Sequence, residues 1–135
     1  MEDLSTLAAP GTGIREFYVQ TLPQVAVRVI EFNPSSPGNL PVVVFVAGWV
    51  TQISAWKEVL QEMTRDFRVC YLETREKISS RIQGRVKFDV ESIGKDIEVV
   101  VEHLQLKDNS FLLFGSSLGA TAIVDCVRFL KHQPL

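Results

Sequence analysis

Phe111-Leu112-Leu113-Phe114-Gly115-Ser116-Ser117-Leu118-Gly119 is the stretch on which the reading of this chain turns. Four consecutive large apolar residues suit a strand covered on both faces, since a strand with one wet face would alternate apolar and polar side chains. Beyond the glycine, Leu118, Ala122, Ile123, Cys126, Val127 and Leu130 fall at helical spacing, and this almost wholly apolar helix is expected to be deeply packed. Between strand and helix, Gly115-Ser116-Ser117-Leu118-Gly119 fits G-x-S-x-G, a turn so tight that its central residue takes a strained backbone. Gly115 and Gly119 leave room for strand and helix to approach, and the turn lifts the Ser117 hydroxyl above the sheet. The pattern alone is weak; a buried strand before it and an apolar helix after it supply the context it requires. Ser116 suits the plainer role of capping a helix start.

Working outward, Val42-Val43-Val44-Phe45-Val46 is a second unbroken apolar run and reads as the central strand. Past the turn Ala47-Gly48-Trp49, the spacing of Trp56, Val59, Leu60 and Met63 predicts a surface helix with Ser54 as its cap. Val69-Cys70-Tyr71-Leu72 is a further buried strand, followed by a long charged loop from Glu73 to Lys87. Val90, Ile93, Ile97, Val100, Val101 and Leu104 then predict a helix capped by Asp89, with Gly94 its one weak position. Toward the amino terminus, Asn33–Asn39 is a Pro/Gly/Ser linker, Phe17–Gln20 and Val25–Phe32 read as an antiparallel hairpin around Leu22 and Pro23, and residues 1–12 as a flexible or edge segment. Strands alternating with helices make the fold class α/β: three layers around a mostly parallel sheet, with the antiparallel hairpin at its start.

Composition excludes several classes. Hydrophobic residues at 46% and charged residues at 22% are ordinary for a folded domain, and 135 residues suit one domain. A formal net charge of −2 offers no field for phosphate backbones or anionic lipid, so nucleic acid and membrane are not expected partners. The longest apolar stretch, Phe111 to Val124, is too short and too rich in Ser and Thr to span a bilayer, and the amino terminus lacks the anatomy of a secretory signal, so a cytoplasmic location is expected. Cys70 and Cys126 sit in apolar runs without the close pairing that zinc or redox chemistry uses, and read as buried free thiols; no metal or cofactor is expected. Ala47-Gly48-Trp49-Val50 is too poor in glycine and too bulky to be the phosphate loop of a nucleotide or flavin binder.

The Gly115–Gly119 turn is an elbow that presents the Ser117 hydroxyl as a candidate nucleophile. A hydroxyl at a helix start sits in positive potential, and the Leu118 backbone N–H is the natural donor to a developing oxyanion. The second donor should come from the loop after the central strand, where the N–H of Trp49 follows a glycine that lets the chain turn; the indole itself would then be core, as tryptophan usually is.

These residues resemble the α/β-hydrolase superfamily, in particular its serine esterase, lipase and peroxidase-like members. Ala47-Gly48-Trp49 with Ser54-Ala55-Trp56 is similar to that family's stretch from oxyanion loop to first helix, Tyr71-Leu72-Glu73-Thr74-Arg75 to its fourth strand end, Phe88–Ile97 to the opening of its second helix, and Phe111–Gly119 to its nucleophile strand. The chain departs in three places: Ala47 and Ser116 stand where histidine is common, and Thr74-Arg75-Glu76-Lys77 replaces the usual Arg-Gly-x-Gly turn. The resemblance implies an ester, thioester or related acyl substrate, and a triad ordered serine, acid, histidine.

Only eighteen residues follow Ser117, and they end at Leu135, so residues 1–135 read as the amino-terminal portion of such a domain with its carboxy-terminal half absent. His103 precedes the elbow, and His132 lies at the far end of a helix of some fifteen residues, about 20 Å at 1.5 Å each, so neither should reach Ser117. Asp125 is no better as the acid. Both histidines are expected at the surface. The chain alone should therefore be inactive, and the alternative is a non-catalytic half-domain used for binding or oligomerisation. Family strand order also leaves the 111–114 strand at an edge, so a carboxy-terminal half or a self-association partner is expected to cover it.

Overall fold

Hydrophobic pattern and strand pairing agree from the start of the chain. In this computed structural model the described residues are 2–36 and 38–135; Met1, and Pro37 of the expected Asn33–Asn39 loop, lie outside them. Strands β1 (Gly13–Leu22) and β2 (Val25–Asn33) form the expected antiparallel hairpin, in a register that sets Phe17 against Val29 and Tyr18 against Arg28. β1 begins four residues ahead of Phe17, where cross-strand pairing and the Arg15–Glu31 ion pair at 3.2 Å replace apolar content as the stabilising element. Residues 2–12 are not an edge segment: a 3-10 turn at Leu4–Leu7 buries Leu7 and Ala8, and the Ala9 N–H donates to Thr64 Oγ1 at 2.8 Å.

The sheet continues with β3 (Val42–Val46), β4 (Val69–Leu72), a two-residue β5 (Arg81–Ile82) and β6 (Phe111–Gly115), in the order β1-β2-β4-β3-β6 with β5 on β2. It is mixed rather than mostly parallel. β3 pairs parallel with β4 and β6, whereas β2 meets β1, β4 and β5 antiparallel. β5 lies inside the stretch read as loop; two residues carry no period to detect.

Three layers follow from the two faces of these strands. Helix α1 (Lys57–Met63) covers one, over Ile30, Phe32, Val43, Phe45 and Tyr71. Helices α2 (Val90–His103) and α3 (Leu118–Cys126) cover the other, over Val27, Val29, Val44, Val46 and Leu72. Ser54 does not cap α1: it lies within a 3-10 turn, Ile53–Trp56, that buries Ile53 and sets Trp56 edge-on to Phe45 at 5.1 Å. Packing of those two side chains decides the local geometry over capping. Asp89 does cap α2, its carboxylate accepting from the Ser92 N–H at 2.8 Å. Gly94, the weak position in α2, is where α3 crosses: a Cβ there would stand 3.1 Å from Cys126 Cβ.

α3 departs from expectation in length and burial. It spans nine residues before breaking into a 3-10 turn at Val127–Phe129, and it buries Gly119, Ala122 and Cys126 while Val124 is 75% and Phe129 63% exposed. The reason lies in the sheet. β6 is its edge strand among the described residues, so α2 packs along one flank of α3 and no element occupies the other. At the start of β6 the chain's last residues return, the Leu135 N–H donating to the Phe111 carbonyl at 2.9 Å. No helix is long and apolar enough to cross a membrane, among the described residues.

Candidate active site

The site is built at the carboxyl ends of β3, β4 and β6, which the parallel register brings level: Val46 stands opposite both Leu72 and Gly115. From Gly115 the chain turns through Ser116 and Ser117 into α3. Ser117 takes φ 52° and ψ −120°, a conformation open to glycine and costly by about 1–3 kcal/mol for a residue with a side chain. The turn persists because its surroundings leave no alternative. A Cβ on Gly115 would stand 2.8 Å from the Ala120 nitrogen, and one on Gly119 would overlap the Val46 carbonyl and stand 2.9 Å from that of Ala47. The Gly119 and Thr121 N–H groups donate to the Ser116 and Ser117 carbonyls at 3.0 Å each, starting the helix without a side-chain cap. The Ser117 side chain is left exposed at the surface. Ser116 does not cap either.

The loop after β3 approaches the elbow closely. Gly48 is buried, and a Cβ there would stand 2.9 Å from the Ser116 carbonyl and 3.6 Å from Ser117 Cβ, so only glycine fits. Trp49 follows, 54% exposed, contrary to the expectation of a core tryptophan, because the tryptophan packed on the sheet is Trp56, in the turn before α1. Val50 has φ 57°, a strained value for a β-branched residue. Among the described residues, neither the Trp49 nor the Leu118 N–H donates to a backbone carbonyl.

On the other side of this loop runs the segment after β4. Arg75, 2% exposed, donates from Nε and Nη2 to the Asp96 carboxylate of α2 at 2.7 and 2.6 Å and from Nη1 to the Lys87 carbonyl at 2.9 Å. Glu73 accepts from Arg28 at 2.6 Å. Burial works against the Arg28 charge, but the Glu16 and Glu73 carboxylates outweigh it and raise its pKa. The Glu76 carboxylate accepts from Thr74 Oγ1 at 2.6 Å and from Lys77 Nζ at 3.2 Å, and Lys77 Nζ also donates to the Gly48 carbonyl. An open cavity of about 830 Å³ lies alongside, with Trp49, Val50, Ile53, Glu76, Lys77 and Phe88 among its lining residues. In the sequence Glu76 and Lys77 stand out only as departures from a turn pattern; the contact between Lys77 and Gly48 spans 29 residues and leaves no local trace.

Neither histidine comes near the elbow. His103 ends α2 and stacks on Phe17 at 5.8 Å, and His132 is half-buried with Nδ1 3.5 Å from the Asp108 carboxylate. That pair lies beside the start of β6, where the returning residue Gln133 donates its N–H to Asp108, one strand length, about 16 Å, from the strand's carboxyl end. Asp125 points at α2, its carboxylate 3.5 Å from where a Gly94 Cβ would be. Both cysteines are free and buried, and burial pushes each thiol from the usual 9.0 up to about 12, which makes them inert rather than nucleophilic.

No protein-family model matches the chain, and no curated protein matches it in sequence. Solved structures do. It is similar to the Cif epoxide hydrolase from Acinetobacter nosocomialis (16% identity, TM-score 0.70, 91% of this chain and 36% of that one) and to the epoxide hydrolase VrEH1 from Vigna radiata (18%, 0.68, 86% and 36%). It is also similar to a membrane phospholipase A described as a bacterial virulence factor (16%, 0.69, 85% and 35%). The fold is therefore of α/β-hydrolase type, and the chain spans about a third of the length of these structures.

Proposed function

We propose that this chain carries the nucleophile-bearing half of a serine hydrolase that cleaves an ester, thioester or related acyl bond. One observation carries the reading: Ser117, exposed at a helix start, is held at φ 52° between two glycines whose Cβ positions are already occupied. A fold does not maintain such strain at a surface serine for stability. Ser117 is the nucleophile, and the Leu118 and Trp49 N–H groups, both without a backbone acceptor among the described residues, are the oxyanion donors. The similar structures are an epoxide-opening and a phospholipid-cleaving kind of hydrolase, and one fold hosting both does not choose between them. A serine hydroxyl at the elbow favours acyl transfer, in which it is acylated and then released by water.

The acid and histidine must come from outside these residues, since His132 and Asp108 lie at the opposite end of β6. A carboxy-terminal half along β6 is the source that fits a chain spanning about a third of its structural relatives. The test is a fluorophosphonate probe on the full gene product: Ser117 should be labelled, and Ser117→Ala should abolish it. Labelling that survives the substitution, or none in the unsubstituted protein, removes the assignment. The position of the His132–Asp108 pair favours a second reading, a non-catalytic module for binding or oligomerisation, for which light scattering should report self-association through the β6 edge and no probe should react.

A further inference from the structure

We propose, resting on the hydrolase reading above, that Lys77 is a positioning residue for the oxyanion hole: by taking the Gly48 carbonyl it turns the N–H of the same peptide, that of Trp49, toward Ser117. In a trans peptide the C=O and N–H point in opposite directions within one rigid plane, so an oxygen held on one side aims the hydrogen to the other. The strand order supplies the two sides. β3 lies between β4 and β6, so the loop that follows it runs between the segment after β4, which carries Lys77, and the elbow after β6, which carries Ser117. Gly48 faces both banks: Lys77 Nζ donates to its carbonyl, and a Cβ on its other side would meet the Ser116 carbonyl and Ser117 Cβ.

The loop needs a holder of this kind. Val50 sits at φ 57°, and the Gly48 carbonyl is otherwise met by the Thr51 N–H at 3.4 Å, a long bond. Lys77 is in turn fixed by the Glu76 carboxylate, which Thr74 Oγ1 orients, and the side chains of both charged residues are only 10% exposed, so their pairing is weakly screened. Arg75, bonded to Asp96 beneath them, anchors the same segment to α2. An ammonium on the carbonyl oxygen also polarises the peptide and strengthens its N–H as a donor, an effect an uncharged hydrogen bond at that position would give less.

The test compares unsubstituted protein with Lys77→Met and Lys77→Arg. Lys77→Met should slow fluorophosphonate labelling of Ser117 by roughly 10-fold, part of the 10²–10³ that one oxyanion donor supplies, and should shift the Gly48 carbonyl carbon and Trp49 amide resonances. Lys77→Arg should recover most of both, and Lys57→Met, on the exposed side of α1, should move neither. Equal labelling rates in the unsubstituted protein and Lys77→Met, or unmoved Gly48 and Trp49 resonances, overturn the proposal. If Ser117 takes no label even unsubstituted, the hydrolase reading fails and the resonances alone decide the role of Lys77. If Lys77→Met does not fold, a scalar coupling through the hydrogen bond from Lys77 Nζ to the Gly48 carbonyl, sought in the unsubstituted protein, decides instead; its absence overturns the proposal.

Discussion

α2 and α3 lie side by side on one face of the sheet, and they are built to opposite specifications. α2 is a mixed sequence whose apolar residues all turn inward, Ile93, Ile97, Val100 and Val101 being buried, and it starts at an aspartate that caps it with ordinary extended backbone. α3 is nearly all apolar yet buries three small residues, and it starts at a serine with φ 52° that caps nothing. Composition by itself therefore misjudges both. The residues of α2 answer to the core, whereas those at the start of α3 answer to the geometry of one tight turn.

The sharpest way to break this contrast is Gly119→Ala. A methyl group there collides with the backbone of β3, which cannot give way, and the cost should exceed about 4 kcal/mol, read as loss of the cooperative urea transition. If the variant folds normally, the elbow is not the tight turn described. Next comes Asp96→Ala, which tests whether α2 is as purely structural as its pattern suggests. It strands the Arg75 guanidinium, 2% exposed, without its carboxylate and should cost about 3–5 kcal/mol by denaturant unfolding. The smallest effect carries the opposite sign. Ser117→Gly relieves the positive φ and should stabilise by about 1 kcal/mol, with Ser117→Ala close to neutral. A destabilised Ser117→Gly would mean that the serine is not strained there.

Much of this was legible in the sequence where one local pattern decides the outcome. The β1–β2 hairpin, the apolar β3 and β4, the Asp89 cap and the strand-to-helix passage at Gly115–Gly119 each write their geometry into a few consecutive residues. What stayed hidden depends on contacts distant in the chain. Ser54 was a sound cap by local rules until Ile53 and Trp56 packed down; α3 looked buried because an apolar helix does not say how many neighbours it has; Lys77 is an unremarkable charged loop residue until Gly48 arrives beside it. Gly94, a blemish in a helix by propensity, becomes intelligible once α3 is seen to cross there. The chemistry followed the same division, because the Ser117 turn is local and the partners of a serine nucleophile are not.

The strand order β1-β2-β4-β3-β6 has a consequence for synthesis. Val42–Val46 leaves the ribosome about 70 residues ahead of Phe111–Gly115, its partner on one edge. At roughly 5–20 residues per second that edge waits several seconds, an apolar strand with a free row of backbone donors and acceptors. The β3 edge invites aggregation in that interval, and the arrival of β6 covers it and passes the free edge to the strand that ends in the Ser117 turn.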